Sequence, residues 1–237
     1  MTSLSAITSS KSSNKHSEPL LPYKLVDRLA LPAKVRLPAT FEDYIELLIE
    51  SDYKIEYSNG HLVSILETDK TNQNILMGNA TLTHEELVGN LIFALNLLFR
   101  SQRDYHILGS NTSVYVADNL AGYNPDVVVR KGEPIMKLHK FRKKTINCLT
   151  NPFIVVEVLS QGTREYDLIE KFNNYKKIPS LQQIIFVEQY WAQVMTYIRQ
   201  EDAWLFIEKT DISASIPVEN NQISLTDIYQ KIDFDLL

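Results

Sequence analysis

The chain has a single cysteine, Cys148, in 237 residues. One thiol cannot close an internal disulfide or build a thiolate cage, which excludes a disulfide scaffold and a zinc finger. Glycine is scarce at seven, and no phosphate-cradling Gly-rich loop is present. The Gly-x-Ser-x-Gly elbow of the serine hydrolases is absent as well. The five histidines show no HExxH or other close metal spacing. No apolar run approaches the roughly 20 residues that span a bilayer. The opening stretch, MTSLSAITSSKSSNKHSEP, lacks the apolar core of a signal peptide. We therefore expect a cytoplasmic protein that does not insert in a membrane.

What is present is ordinary for a protein that buries a core, with 44% apolar and 10% aromatic residues. Residues 1–20 are rich in Ser, Thr and Lys and read as a mobile tail, leaving 21–237 as a single domain. The net charge of −5 does not advertise a nucleic-acid binder. Local distribution matters more. Between Arg130 and Lys144 the chain carries seven basic residues, among them Lys131, Lys140, Arg142, Lys143 and Lys144, against the single acid Glu133. Such a stretch reads as a solvated loop unless it borders a cleft, where it could hold phosphates. Trp191 and Trp204 read as core and rim rather than as a base-stacking platform.

Hydrophobic periodicity orders the rest. Pro22, Pro32 and Pro38 punctuate an irregular lead-in, after which Thr40 caps a short helix with Glu42 and Asp43 in its first turn. The runs YKIEY and HLVSIL, joined by Ser58-Asn59-Gly60, predict a hairpin. Thr83 to Glu86 fits a capping box for a helix carrying Leu87, Leu91, Leu95 and Leu98. YHILG and TSVYVA predict strands, followed by a loop, ADNLAGYNP. Two β-branched runs then stand out, DVVV from Asp126 and FIVVEVL from Phe153. Strands of that kind are buried on both faces, so we expect a central sheet with helices packed over it. Thr163 can cap a helix from Arg164, SLQQIIFVEQ, QVMTYIR and AWLFIEK predict three more strands, and a short helix begins near Leu225.

Two acids sit where acids are costly. Asp126 opens one apolar strand and Glu157 interrupts the other. A carboxylate inside a sheet costs several kcal/mol unless a cation pairs with it, and a lysine, an arginine or a divalent ion could do so. In the helix after Glu157, Asp167 and Lys171 are four apart and share a face. Leu168, Phe172 and Tyr175 bracket Lys171 on the helical wheel, which places the lysine near the buried side, reaching toward Glu157.

The strings NPDVVV, PFIVVEVLSQGTREYDLIEKFNNYKKI and SLQQIIFVE resemble the Uma-type putative restriction-endonuclease family of the PD-(D/E)xK nuclease superfamily. The resemblance takes in IEYSNGHLV and the helix at His84, and so covers residues 40 to about 205. Its most specific part is VVEVLSQGTREYDLIEK: the strand acid, Leu159-Ser160, then a Thr163-capped helix bearing Asp167 and Lys171. It implies an α/β (α+β) fold, a restriction-endonuclease-like central mixed β-sheet flanked by helices. Asp126 and Glu157 match the family's metal-binding acids, Lys171 its helix lysine, Glu56 an early acid that can serve as outer metal ligand, and His84 a histidine common at the first-helix start. Leu159 stands where the superfamily places a lysine, and Asn59-Gly60-His61 replaces the family's acidic hairpin turn.

The chemistry so implied is hydrolysis of a phosphodiester. Asp126, Glu157 and the Val158 carbonyl would hold Mg²⁺, for which Mn²⁺ can substitute, and Lys171 would orient or activate water. The partner would be DNA, cut by a homodimer. A nucleic-acid-binding or regulatory module that keeps the fold without efficient turnover is the alternative. A structural protein with a buried Glu157–Lys171 pair is a third reading, which leaves Asp126 unexplained. On the first reading, Asp126→Ala, Glu157→Ala and Lys171→Ala each abolish cleavage and leave the fold intact.

Overall fold

The computed structural model describes residues 18–66 and 81–234. The tail expected at residues 1–20 therefore lies, up to residue 17, outside the described residues. The chain begins with α1 (Leu25–Arg28), β1 (Lys34–Pro38), α2 (Phe41–Glu50), β2 (Glu56–Ser58), β3 (His61–Ile65) and the long helix α3 (Leu82–Phe99). It continues through β4 (Tyr105–Gly109), β5 (Val114–Val116), β6 (Ala121–Tyr123), β7 (Val127–Lys131), β8 (Met136–Phe141), β9 (Lys144–Leu149) and β10 (Pro152–Leu159). A π-helical turn, Tyr166–Lys171, runs directly into α4 (Phe172–Tyr175). Then come β11 (Gln183–Glu188), β12 (Val194–Gln200), β13 (Ala203–Lys209), β14 (Ser215–Val218), β15 (Asn221–Ser224) and α5 (Leu225–Ile228).

The central sheet has six strands in the order β13-β12-β11-β10-β7-β4. It is mixed, because β10 and β11 run parallel while the other neighbours are antiparallel. The two β-branched runs lie at its heart, and their side chains alternate between faces as a pleated strand requires. Val127, Val129, Ile154, Val156 and Val158 pack with Leu87, Leu91 and Leu95 of α3. Val128, Val155 and Leu159 point the other way, into a core shared with Tyr175 of α4 and with Val114, Tyr123 and Leu149. Those last three belong to a second, seven-stranded sheet ordered β1-β3-β2-β6-β5-β9-β8. One face of the central sheet is thus covered by α3, the other by α4 and the second sheet.

Local chemistry explains several elements. Thr40 and Asp43 form a reciprocal capping box at the start of α2. Asn59 and Gly60 have φ of 50° and 78°, the left-handed pair a two-residue hairpin needs, and Ser58 pairs with His61 across it. The expected cap of α3 shifts by two residues: Thr81, not Thr83, accepts the His84 N–H. Both threonines suit the role, and Thr81 places His84 at the third helical position. The expected loop ADNLAGYNP contains a 3₁₀ turn at Ala117–Asn119 and strand β6. Three residues with a central glycine carry little strand propensity, and pairing with β2 and β5 on either side supplies the order. The basic stretch after Arg130 is not a loop but largely the hairpin β8–β9.

Gly122 also answers to packing. A Cβ there would overlap the ring and hydroxyl of Tyr44, which is itself buried in the α2 core. Gly122→Ala is expected to cost about 1–3 kcal/mol by overpacking, seen as a lower melting midpoint with little change in far-ultraviolet dichroism.

Candidate active site

The strand register brings the two acids together. Val155 and Val156 of β10 lie opposite Val128 and Val127 of β7. Asp126 stands just before β7, and its Oδ2 accepts the N–H of Val158, the residue after Glu157. Asp126 comes three residues after β6 ends, in the segment Asn124-Pro125-Asp126 that carries the chain from the second sheet into the central one. The site therefore lies where the two sheets meet.

Asp126 is buried and held from three sides. Its Oδ2 accepts the Val158 N–H at 2.8 Å and faces His84 Nε2 at 3.2 Å, while Lys54 Nζ stands 3.8 Å from Oδ1. Burial alone would raise the Asp126 pKa; His84, Lys54 and the Val158 amide outweigh it and hold the carboxyl at about 2. Removing the imidazole should weaken that hold. His84→Ala is expected to lower divalent-metal affinity about 10- to 100-fold, as loss of a group that orients a ligand does, measurable by Mn²⁺ titration calorimetry.

Around Glu157 the charges are more crowded. Lys171 Nζ lies 3.1 Å from Glu157 Oε1, 3.1 Å from Glu56 Oε1 and 3.0 Å from Asp167 Oδ1. The Tyr175 hydroxyl donates to Glu157 Oε1 at 2.6 Å, and the Asn124 N–H donates to Glu56 at 3.1 Å. The π-helical turn and α4 thus turn Asp167, Lys171 and Tyr175 to one side; π-helical turns recur at functional sites. Three carboxylates around one ammonium leave an excess of negative charge out of water. Burial pushes Glu157 up to about 8 against the pull of Lys171, and burial likewise raises Glu56. Burial would pull Lys171 down, but Asp167, Glu157 and Glu56 hold it well above its ordinary value. Lys171 is thus held as a cation, while burial favours the protonated form of Glu157.

A cleft of about 530 Å³ reaches this cluster, with Lys54, Glu56, His84, Asp126, Glu157 and Lys171 in its wall. Among the described residues no three Asp, Glu, His or Cys side chains converge as a ready metal cage. The backbone supplies the missing donor. Val158 turns its N–H to Asp126, and a strand residue's N–H and C=O share one side, so its carbonyl faces the same way. In that register its partner is Pro125, which has no N–H to give it. Two carboxylates and a carbonyl are hard oxygen donors on one side of the cleft. They fit an ion such as Mg²⁺, which keeps several waters.

The remaining residues divide. Ser160 rather than Thr163 caps the helix after Glu157, its Oγ accepting the Thr163 N–H at 3.2 Å. The hydroxyls of Ser160 and Thr163 hydrogen-bond to each other, and Thr163 lines the cleft. None of the basic residues from Arg130 to Lys144 is in the cleft wall. Lys131 lies at the opposite end of β7 from Asp126, over the rings of Tyr105 and Phe153 and 3.9 Å from Glu219. Lys144 pairs with Glu50 at 2.7 Å, and Lys140, Arg142 and Lys143 are exposed on the β8–β9 hairpin. Sequence reasoning missed Lys54 and gave Tyr175 only an apolar role. Lys54 stands two residues before Glu56, and that adjacency to a candidate ligand was the one available signal.

An acid on each of two adjacent strands of a mixed sheet, with the next helix returning a lysine to the second acid, defines a restriction-endonuclease-like fold. The chain belongs to the Uma2 family, described as putative restriction endonuclease, which it matches over residues 41–226. It is 28% identical over 178 residues to an uncharacterized protein of Synechocystis sp., covering 75% of this chain and 90% of that one. Its fold is similar to the crystal structure of a putative nuclease belonging to DUF820 from Anabaena variabilis. That match has a TM-score of 0.58 and 16% identity, and covers 81% of this chain and 98% of the other. Among the described residues no helix is long and apolar enough to cross a membrane.

Proposed function

We propose that this protein is a divalent-metal-dependent endonuclease that hydrolyses phosphodiester bonds in DNA. The observation that carries the reading is Asp126 held on the Val158 N–H at 2.8 Å, next to Glu157, with Lys171 on Glu157 at 3.1 Å. Family membership supports a nuclease reading, since the family is described as putative restriction endonuclease. Mg²⁺ or Mn²⁺ would be held by Asp126, Glu157 and the Val158 carbonyl, with Glu56 behind them. When bound, the ion supplies Lewis-acid polarisation of a phosphate oxygen and a more acidic water.

The chain's own groups do the positioning. The Val158 N–H and His84 fix Asp126 in its ionised form, so a ligand oxygen is ready without reorganisation. The Asn124 N–H holds Glu56 in place. Lys171 keeps its proton across the working pH range, so its task is to balance and position Glu157 and its neighbouring carboxylates rather than to take up a proton. Glu157 serves a cation in its ionised form, which burial disfavours.

Asp126→Ala is expected to abolish Mg²⁺- and Mn²⁺-dependent cleavage of plasmid and linear DNA, a loss on the order of 10³-fold or more. Gel assays with each metal and with EDTA read it. Wild-type protein that cuts no DNA with any divalent ion sinks the enzyme reading. Retained DNA binding in that case would favour a binding module on the same fold.

A further inference from the structure

Among the described residues, six carboxylates line the cleft: Asp52, Glu56, Glu85, Asp126, Glu157 and Asp167. Lys54 and Lys171 are the lysines in its wall, and no arginine joins them. A phosphodiester approaching such a wall meets repulsion unless cations face it. Lys171 cannot turn to meet it, being buried and committed to three carboxylates at 3.0–3.1 Å. Lys54 is differently placed. Its side chain is 43% exposed, and its ammonium stands 3.8 Å from Asp126 Oδ1, beyond hydrogen-bond reach. Its chain neighbours are anchored, since Tyr53 donates to the Pro22 carbonyl at 2.5 Å and Ile55 is fully buried. The backbone is held while the four-carbon stem is free to swing.

The two oxygens of Asp126 also differ. Oδ2 is occupied by the Val158 N–H and His84. Oδ1 is the oxygen on which a cation can be taken, and Lys54 is the cation beside it. We propose that Lys54 is an exchangeable counter-ion: it balances Asp126 Oδ1 until a divalent ion takes that oxygen, and then turns to bind the substrate's phosphate. The inference rests on the metal site of the preceding section. It adds a substrate-binding residue and a reason why an acidic cleft accepts an anionic polymer. No bond is made or broken in the exchange; one ion pair replaces another.

The test compares full-length wild type, Lys54→Met, Lys54→Arg and Asp126→Ala. Calorimetric titration with Mn²⁺ alone should show Lys54→Met binding the ion about three- to fivefold more tightly than wild type, the range set by a half-exposed ion pair. In steady-state cleavage of a DNA duplex with Mg²⁺, Lys54→Met should raise KM about tenfold, as loss of a charged hydrogen bond does. The accompanying change in kcat should be smaller, and Lys54→Arg should restore KM. Unchanged or weaker Mn²⁺ binding by Lys54→Met, or an unchanged KM, overturns the exchange. If Asp126→Ala loses Mn²⁺ while wild type and Lys54→Met bind it equally, the metal site stands and only the role of Lys54 fails. If wild type itself takes up no Mn²⁺, the metal reading and the exchange fail together.

Discussion

Lys171→Met should lower the stability of the protein by about 3–5 kcal/mol, the usual cost of stripping one partner from a buried charge cluster. It should also remove cleavage. Three carboxylates, Glu56, Glu157 and Asp167, lie within 3.1 Å of the ammonium, and all three are largely withdrawn from water. The substitution leaves an uncompensated negative cluster whose remaining relief is protonation. The loss should therefore be largest at alkaline pH and shrink toward pH ~5, where protons take over part of the lysine's role. Lys171→Arg should rescue poorly, because a planar fork does not replace a compact ammonium enclosed on three sides. Urea denaturation in EDTA at two pH values checks both points. A loss below about 1 kcal/mol at every pH would mean that the four groups are not packed together as described. The sequence-based expectation that removing Lys171 leaves the fold intact is thus replaced: the residue is part of the fold as well as of the site.

That revision shows where the sequence was readable and where it was not. DVVV and FIVVEVL were legible as buried strands because runs of β-branched residues have few other uses, and an acid inside FIVVEVL demanded a partner. Asp167 and Lys171 were legible through their four-residue spacing. Hidden from the sequence was the number of carboxylates converging on Lys171. Glu56 comes from another sheet, and the register of β2 against β6 that positions it depends on a single paired step, Tyr57 with Gly122. Strand β6 itself was invisible, since three residues around a glycine have no periodicity to detect. The second sheet escaped for a related reason: its strands are short, and their order interleaves early and late segments. The basic stretch shows the opposite error. Its charge was plain in the sequence, but β7 carries Arg130 and Lys131 away from Asp126, and charge density says nothing about which end of a strand faces the cleft.

Glu157→Gln should separate stability from chemistry. The amide keeps the shape of the side chain and an oxygen that can accept from Lys171 and Tyr175, but it cannot ionise. In the wild type, burial raises the Glu157 pKa from 4.5 to about 8. A raised carboxyl pKa means that the folded state binds the proton more tightly than the unfolded one. Its contribution to stability is complete below pH 4.5 and is lost as pH rises through about 8. Asp126, held at about 2, behaves in the opposite sense: its contribution is present above 3.8 and disappears only in strong acid. Between roughly pH 5 and 9 Glu157 and its neighbours make stability fall with pH, against a smaller opposite contribution from His139, whose pKa burial lowers. In EDTA, the wild-type denaturation midpoint should fall across that window, while Glu157→Gln stays nearly flat and matches or exceeds wild type at the alkaline end. Cleavage should nevertheless drop on the order of 10³-fold, because a neutral amide is a poor ligand for a hard divalent ion. On the proposed metal site the same proton would compete with the metal, so Mn²⁺ affinity should climb with pH until Glu157 is fully ionised, and the variant should lose that climb. Parallel stability profiles for the two proteins would return Glu157 to an ordinary pKa and leave its proton out of the site's chemistry.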